Sequence, residues 1–271
     1  MINRALSTTA THVCGALVTL MLGMSIYAGE LFFKNGISHT SANGSVKVIA
    51  QQSHSFNTFT QGYQYHKNFF YESSGGYGKS FVIKYDKKNI ELARFIMPYS
   101  LFAEGLTIQN NEVIVLSWKS GLVHYLDAKD LSLKRKKRII GEGWGLASDG
   151  KHLYLSDGTN ELRVYDPKTM VQKDTVALTF DDKPVKNLNE LEICDKKLYA
   201  NIWGTAKILV VDLGTFKPVS MIDLTEVQKP FKKLLRQNPD AVMNGITCGP
   251  SQNQLWVTGK LWNSRILVEI K

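Results

Sequence analysis

Glu104, Lys260 and Asn189, together with Gln61, Trp118, Trp144 and Trp203, are residues whose types could move a proton on a small enclosed substrate. A carboxyl set among tryptophans is poorly solvated, which raises its pKa and suits it to taking up and returning a proton. A lysine ammonium and an asparagine amide are donors that could hold a developing oxyanion. Three indoles could wall a small ligand. The usual hydrolase and zinc signatures do not occur: there is no GxSxG, no HExxH and no CxxC. The six histidines, among them His66, His124 and His152, are read as structural or exposed. No metal and no cofactor are expected.

These residues lie far apart in the chain, and an internal repeat is what would gather them. Five segments share one pattern, starting at Gln61, Glu104, Trp144, Asn189 and Asn244. Each reads as a short strand, a polar turn and a second apolar strand. The turns Asn110-Asn111, Asp149-Gly150 and Asp195-Lys196 suit hairpins. The second positions are Gly62, Gly105, Gly145, Glu190 and Gly245, at spacings of 43, 40, 45 and 55 residues. Asp86, Asp127, Asp166 and Asp212 follow the first four of these at 24, 22, 21 and 22 residues, each heading a turn between two further strands.

Four antiparallel strands in about 40–45 residues are the mark of a propeller blade. The fold expected is all-β, a five-bladed β-propeller over residues 47–271. The fifth repeat ends early, and residues 46–52 (VKVIAQQ) are expected to supply its missing outer strand, closing the ring. The longer last spacing is filled by residues 225–242, a short helical insertion. An ordinary sandwich of hairpins would not need five matched segments.

Innermost strands of a propeller converge on one axis, so equivalent positions form a ring. Gln61, Glu104, Trp144, Asn189 and Asn244 make one set; Ser73, Trp118, Asp157, Trp203 and Lys260 make the other. Their neighbours Leu106, Leu146, Leu191 and Ile246 stay apolar. A ring that differs in every blade reads as a pocket for one asymmetric ligand. Two rival functions stay open at this point. In a calcium-dependent propeller lactonase, Glu104, Asn189, Asn244 and Asp157 would be oxygen ligands, although Lys260 places a positive charge nearby. A non-catalytic binding propeller would use the aromatic wall but gives no reason for one Glu and one Lys.

The composition, with 33 Lys and Arg against 24 Asp and Glu, gives a net charge of +9. That permits loose contact with anionic surfaces but does not by itself make a nucleic-acid binder, and none is expected. Within residues 1–28 the only charge is Arg4, and an apolar run from Val13 to Ala28 follows it. The run is shorter than the roughly 20 residues of a membrane span. It reads as a signal peptide with Ala28 at the cleavage point, or as an uncleaved anchor, since Ile26 is large for the −3 position. The expectation is a periplasmic or secreted monomer, membrane-bound only if the segment is retained. Residues 29–46 read as a linker. Cys194 and Cys248 are read as buried packing thiols, and Lys134–Arg138 as a solvated outer-strand face.

The motifs FTQG (59–62), YESSGGYG (71–78), FAEGLT (102–107), EGWGLASDG (142–150), LSDGT (155–159), NLNELE (187–192), ANIW (200–203), MNGIT (243–247) and VTGKLW (257–262) resemble the plant-type glutaminyl-peptide cyclotransferases, which also occur in bacteria. The likeness runs in order over residues 50–271. It implies a five-bladed propeller that turns N-terminal glutaminyl residues of peptides into pyroglutamate with loss of ammonia and without zinc. By motif, the acid/base glutamate falls on Glu104, and the substrate-side residues on Phe59, Gln61, Trp118, Trp144, Asn189, Trp203 and Lys260. The sequence departs from the pattern at Ala103, where Gly is usual, and at Gly75-Gly76, which replaces Gly-Leu.

Overall fold

The computed structural model describes residues 38–41, 44–54 and 57–271. The apolar run near the N-terminus lies outside the described residues. Five sheets are arranged around an axis, four of them with four antiparallel strands and one with five. The innermost strands are Thr60–His66, Ala103–Gln109, Leu146–Ser148, Leu188–Cys194 and Met243–Cys248, and each touches its neighbours in the ring. We number the blades 1 to 5 in that order. As expected, Gly44–Ser53 pairs antiparallel with Ser264–Ile270, so the first and last parts of the described chain meet in blade 5. Ser38–Ser41 adds a fifth strand to this sheet, so pairing begins inside the stretch expected as a linker.

Each blade interface has its own apolar cluster. Between blades 1 and 2, for example, Val82, Leu106, Val113, Val115 and Leu126 pack together. Outer strands carry the polar residues: Leu133–Arg138 (LKRKKR) alternates exposed and half-buried positions, as the charge run implied. The turn aspartates cap the backbone as their spacing suggested. Asp86 Oδ1 accepts from Lys88 and Ile90 N–H, and Asp166 Oδ1 from Lys168 and Thr169 N–H. The helical insertion forms short helices at Thr225–Gln228, Lys229–Phe231 and Lys232–Gln237. Phe231 stacks on Trp262 at 3.8 Å between centroids, which pins the insertion to blade 5.

Around the axis the repeat position tolerates no side chain where strands abut. A Cβ on Gly145 would collide with the Asn189 carbonyl oxygen. Blade 4 carries Glu190 at the matching place. Its carboxylate accepts from Ile246 N–H at 2.8 Å and Tyr63 N–H at 3.3 Å, tying blades 5 and 1 to blade 4.

Cys194 and Cys248 are not packing thiols; they form a disulfide with a Cα–Cα separation of 5.7 Å. The reason is register. They are the last residues of adjacent innermost strands, so closing the propeller brings them within bridging range.

Candidate active site

Four of the five innermost strands break register at the ring positions: between Thr60 and Gly62, Ala103 and Leu106, Leu188 and Leu191, and Met243 and Ile246. Bulges turn a side chain out of the strand's ordinary alternation. Here they surround Gln61, Glu104, Asn189 and Asn244. In blade 3 the strand begins later, at Leu146, and Trp144 is held just ahead of it by Trp144 N–H donating to the Ser156 carbonyl at 2.8 Å.

The result is a cavity of about 410 Å³ at one end of the axis. All eight residues expected at the site line it: Phe59, Gln61, Glu104, Trp118, Trp144, Asn189, Trp203 and Lys260. Phe102 and Asp240 complete the lining. Five of the ten lining residues are aromatic. Phe102 meets Trp118 at 5.6 Å and Phe59 at 6.4 Å, and Trp144 meets Trp203 at 6.3 Å, all edge to face. Gly158, at φ +84°, lies against Trp144; a Cβ there would come within 2.6 Å of the indole.

Among this apolar surface Glu104 is 5% exposed. Burial holds its carboxyl well above the usual range, Lys260 pulls it back, and the Glu142 charge pushes it further up. Gln61 Nε2 donates to Glu104 Oε1 at 3.1 Å, and Asn244 Nδ2 donates to Gln61 Oε1 at 3.4 Å. Gln61 therefore orients Glu104 as well as lining the cavity. Lys260, equally buried, is pushed below the usual lysine range by burial, with Glu104 and Asp240 opposing. Its Nζ sits 4.8 Å from the Phe59 ring centroid. Asn189 Oδ1 is buried with no hydrogen-bond partner among the described residues. That leaves an acceptor, beside a donor amide, ready for a ligand.

Two ring positions have other duties. Ser73 Oγ donates to the Glu104 carbonyl and fixes the bulge. Asp157 pairs with Arg163 at 3.3 Å and caps Thr159, so it does not join Glu104 and Asn189 as the calcium reading required. Three residues near the site had no role in the sequence reading. Phe102 stands just ahead of the strand Ala103–Gln109, and the bulge at Glu104 breaks the two-residue alternation that would have signalled it. Asp240 comes from the insertion, which has no counterpart in the other repeats. Glu142 opens the EGWGLASDG motif; its carboxylate accepts from both Trp118 Nε1 and Trp144 Nε1.

This geometry has close relatives. A model of the family described as "Glutamine cyclotransferase" matches residues 19–270. The chain is 32% identical over 268 residues to a glutaminyl-peptide cyclotransferase of Arabidopsis thaliana, covering 93% of this chain and 83% of that one. The crystal structure of Myxococcus xanthus glutaminyl cyclase superposes with a TM-score of 0.77 at 30% identity, over 83% of this chain and 96% of that one. The aromatic cavity with its buried carboxyl thus sits in a chain that belongs to the glutamine cyclotransferase family.

Proposed function

We propose that the protein cyclises N-terminal glutamine of peptides to pyroglutamate, with Glu104 carrying the proton. The observation that supports this most is a single buried carboxyl, raised in pKa, facing a buried lysine across an aromatic cavity of one-residue scale.

The substrate brings its own nucleophile, so no serine or cysteine is needed. The aromatic walls fold the side chain back until the α-amine meets its own γ-amide carbon, an entropic gain. The neutral amine attacks that carbon, a C–N bond forms, and the carbonyl oxygen becomes an oxyanion. Lys260 Nζ and the Asn189 amide are the donors for it. Glu104 takes the proton released by the attacking nitrogen and delivers it to the amide nitrogen. The old C–N bond then breaks and ammonia leaves. The lactam remains on the peptide. The unpartnered Asn189 Oδ1 suits an N–H of the amine or amide.

The route uses only the chain's own groups and needs no metal. The disulfide fits an oxidising compartment, and so supports export by the N-terminal segment to the periplasm or beyond; that the protein acts as a monomer is part of the proposal. The test is incubation of the purified protein with a Gln-initiated peptide, following ammonia and pyroglutamate, before and after exhaustive dialysis against EDTA. Equal amounts of both products in both samples are expected, and none from the same peptide acetylated at its N-terminus. Loss of turnover in the dialysed, still folded protein, restored by calcium, would overturn the metal-free route.

A further inference from the structure

The connection between blades 2 and 3 holds a feature that the mechanism above does not use. Glu142 Oε2 accepts from Trp118 Nε1 at 2.7 Å and from Trp144 Nε1 at 3.1 Å. One carboxylate oxygen thus joins indoles from two blades. Both indoles line the cavity and Glu142 does not. The segment carrying it is itself tied down. The Arg163 guanidinium donates to the carbonyls of Ile140 and Glu142, and its Nε pairs with Asp157. Gly141, at φ +79°, makes the bend that precedes Glu142.

We propose that Glu142 is a positioning residue that sets the angle between the Trp118 and Trp144 walls and so holds the bound glutamine in its folded-back, reactive shape. The inference rests on the cyclotransferase reading. The physical grounds are two. Half-buried indole N–H groups lose part of their water and gain from an acceptor, and hydrogen bonds to a charged one are the strong kind. An indole held at its N–H can no longer pivot about its Cβ–Cγ bond, so its face becomes a fixed wall. Cyclisation depends on a near-attack shape, and a misplacement of about 1 Å can cost about 10²-fold in rate. Glu142 touches no reacting atom; its positioning effect runs through the two rings, apart from the charge by which it raises the Glu104 pKa.

The experiment compares Glu142→Leu, Glu142→Gln and Trp118→Phe/Trp144→Phe on a Gln-initiated peptide, with ultraviolet resonance Raman of the indole N–H bands. The leucine variant should lose about 10- to 100-fold in kcat/KM and shift the bands of two tryptophans. The glutamine variant keeps an acceptor oxygen and should restore most of both. The double phenylalanine variant keeps aromatic walls without donors; it should lose as much as the leucine variant, and adding Glu142→Leu to it should lower the plateau kcat/KM no further, changing only the pH profile through the lost charge near Glu104. The proposal falls if the double phenylalanine variant keeps full kcat/KM, if the losses multiply, or if glutamine is as poor as leucine. Should the leucine variant not fold, the glutamine and double phenylalanine variants still decide. If the parent protein releases no ammonia from any Gln-initiated peptide, it is the cyclotransferase reading that fails, while the Raman bands still report the clamp.

Discussion

Two buried carboxyls in neighbouring blades, Glu72 and Glu104, are driven in opposite directions. Glu72 lies on the seam where the propeller closes. His54 Nε2 lies 2.8 Å from its Oε2, Thr60 Oγ1 donates to its Oε1 at 2.7 Å, and Tyr85 OH donates at 3.1 Å. Burial alone would raise its pKa, but the His54 charge and the hydrogen bonds outweigh burial and hold it below the usual range. His54 is raised in turn, because Glu72 outweighs the effect of burial, and its Nδ1 faces the Trp262 carbonyl at 3.1 Å. Glu104 receives one neutral hydrogen bond, from Gln61; burial raises it, the Lys260 charge opposes this without a hydrogen bond, and the Glu142 carboxylate adds to the rise. Burial therefore prevails. Depth alone does not decide what a carboxyl does: Glu190, bonded by two neutral N–H groups, is raised as well, and what sets Glu72 apart is its charged partner. The fully bonded one holds the fold, and the sparsely bonded one can exchange a proton.

Swapping each for its amide should separate these duties. Glu104→Gln should lower turnover by about 10²–10⁴-fold, the usual effect of losing a positioned acid/base, with no fall in Tm. Lys260→Met should come next, lowering kcat by about 10²-fold and more than it raises KM, because an oxyanion donor acts near the transition state. A pure KM effect would move Lys260 to ground-state binding. Since the Lys260 pKa is lowered, its positive charge is lost early as pH rises, which gives the rate profile an alkaline limb; Lys260→Arg should move that limb upward. On the seam, Glu72→Gln should leave turnover intact at low temperature and cost about 3–5 kcal/mol, as broken buried pairs do. For a domain of this size that is about 2–4 °C of Tm per kcal/mol.

The seam also sets a pH window. Glu72, depressed on folding, contributes stability above its ordinary pKa of 4.5, and this is lost as pH falls through the lower folded value. His54, raised on folding, contributes fully below 6.5, and this is lost as pH rises through the higher folded value. Melting curves across pH should show the pair's contribution greatest between these two ordinary values, and His54→Gln should flatten the dependence. The smallest effect belongs to Gly158→Ala. Pushing the Trp144 ring aside should raise KM a few-fold with kcat little changed, and an unchanged KM would mean that this wall adjusts freely.

The sequence made the blades, the closing strand and the cavity residues legible because a propeller repeats, and departures from a repeat stand out. Gln61, Glu104, Asn189 and Lys260 were visible because the ring positions differ from blade to blade while their neighbours Leu106, Leu146, Leu191 and Ile246 stay apolar. What stayed hidden depends on contacts between repeats. The repeat places Cys194 and Cys248 one register apart in neighbouring blades, but nothing in a blade's own pattern says that their sulfurs meet, or that Glu190 replaces a glycine and binds blades 5 and 1. His54 precedes the first repeat, and Glu72 looks like one more polar residue of a strand. Their pairing appears only when the ring closes. Asp240 and Glu142 come from connections, where there is no equivalent position for comparison.

The opposed behaviour of the two carboxyls can be observed directly. Protein labelled with carbon-13 at the glutamate side-chain carboxyl can be titrated by NMR, with Glu104→Gln and Glu72→Gln giving the assignments. One resonance, absent from Glu104→Gln, should titrate well above 4.5, and one absent from Glu72→Gln should remain ionised below it. A Glu104 carboxyl that titrates at or below the ordinary value would contradict its role as the proton carrier.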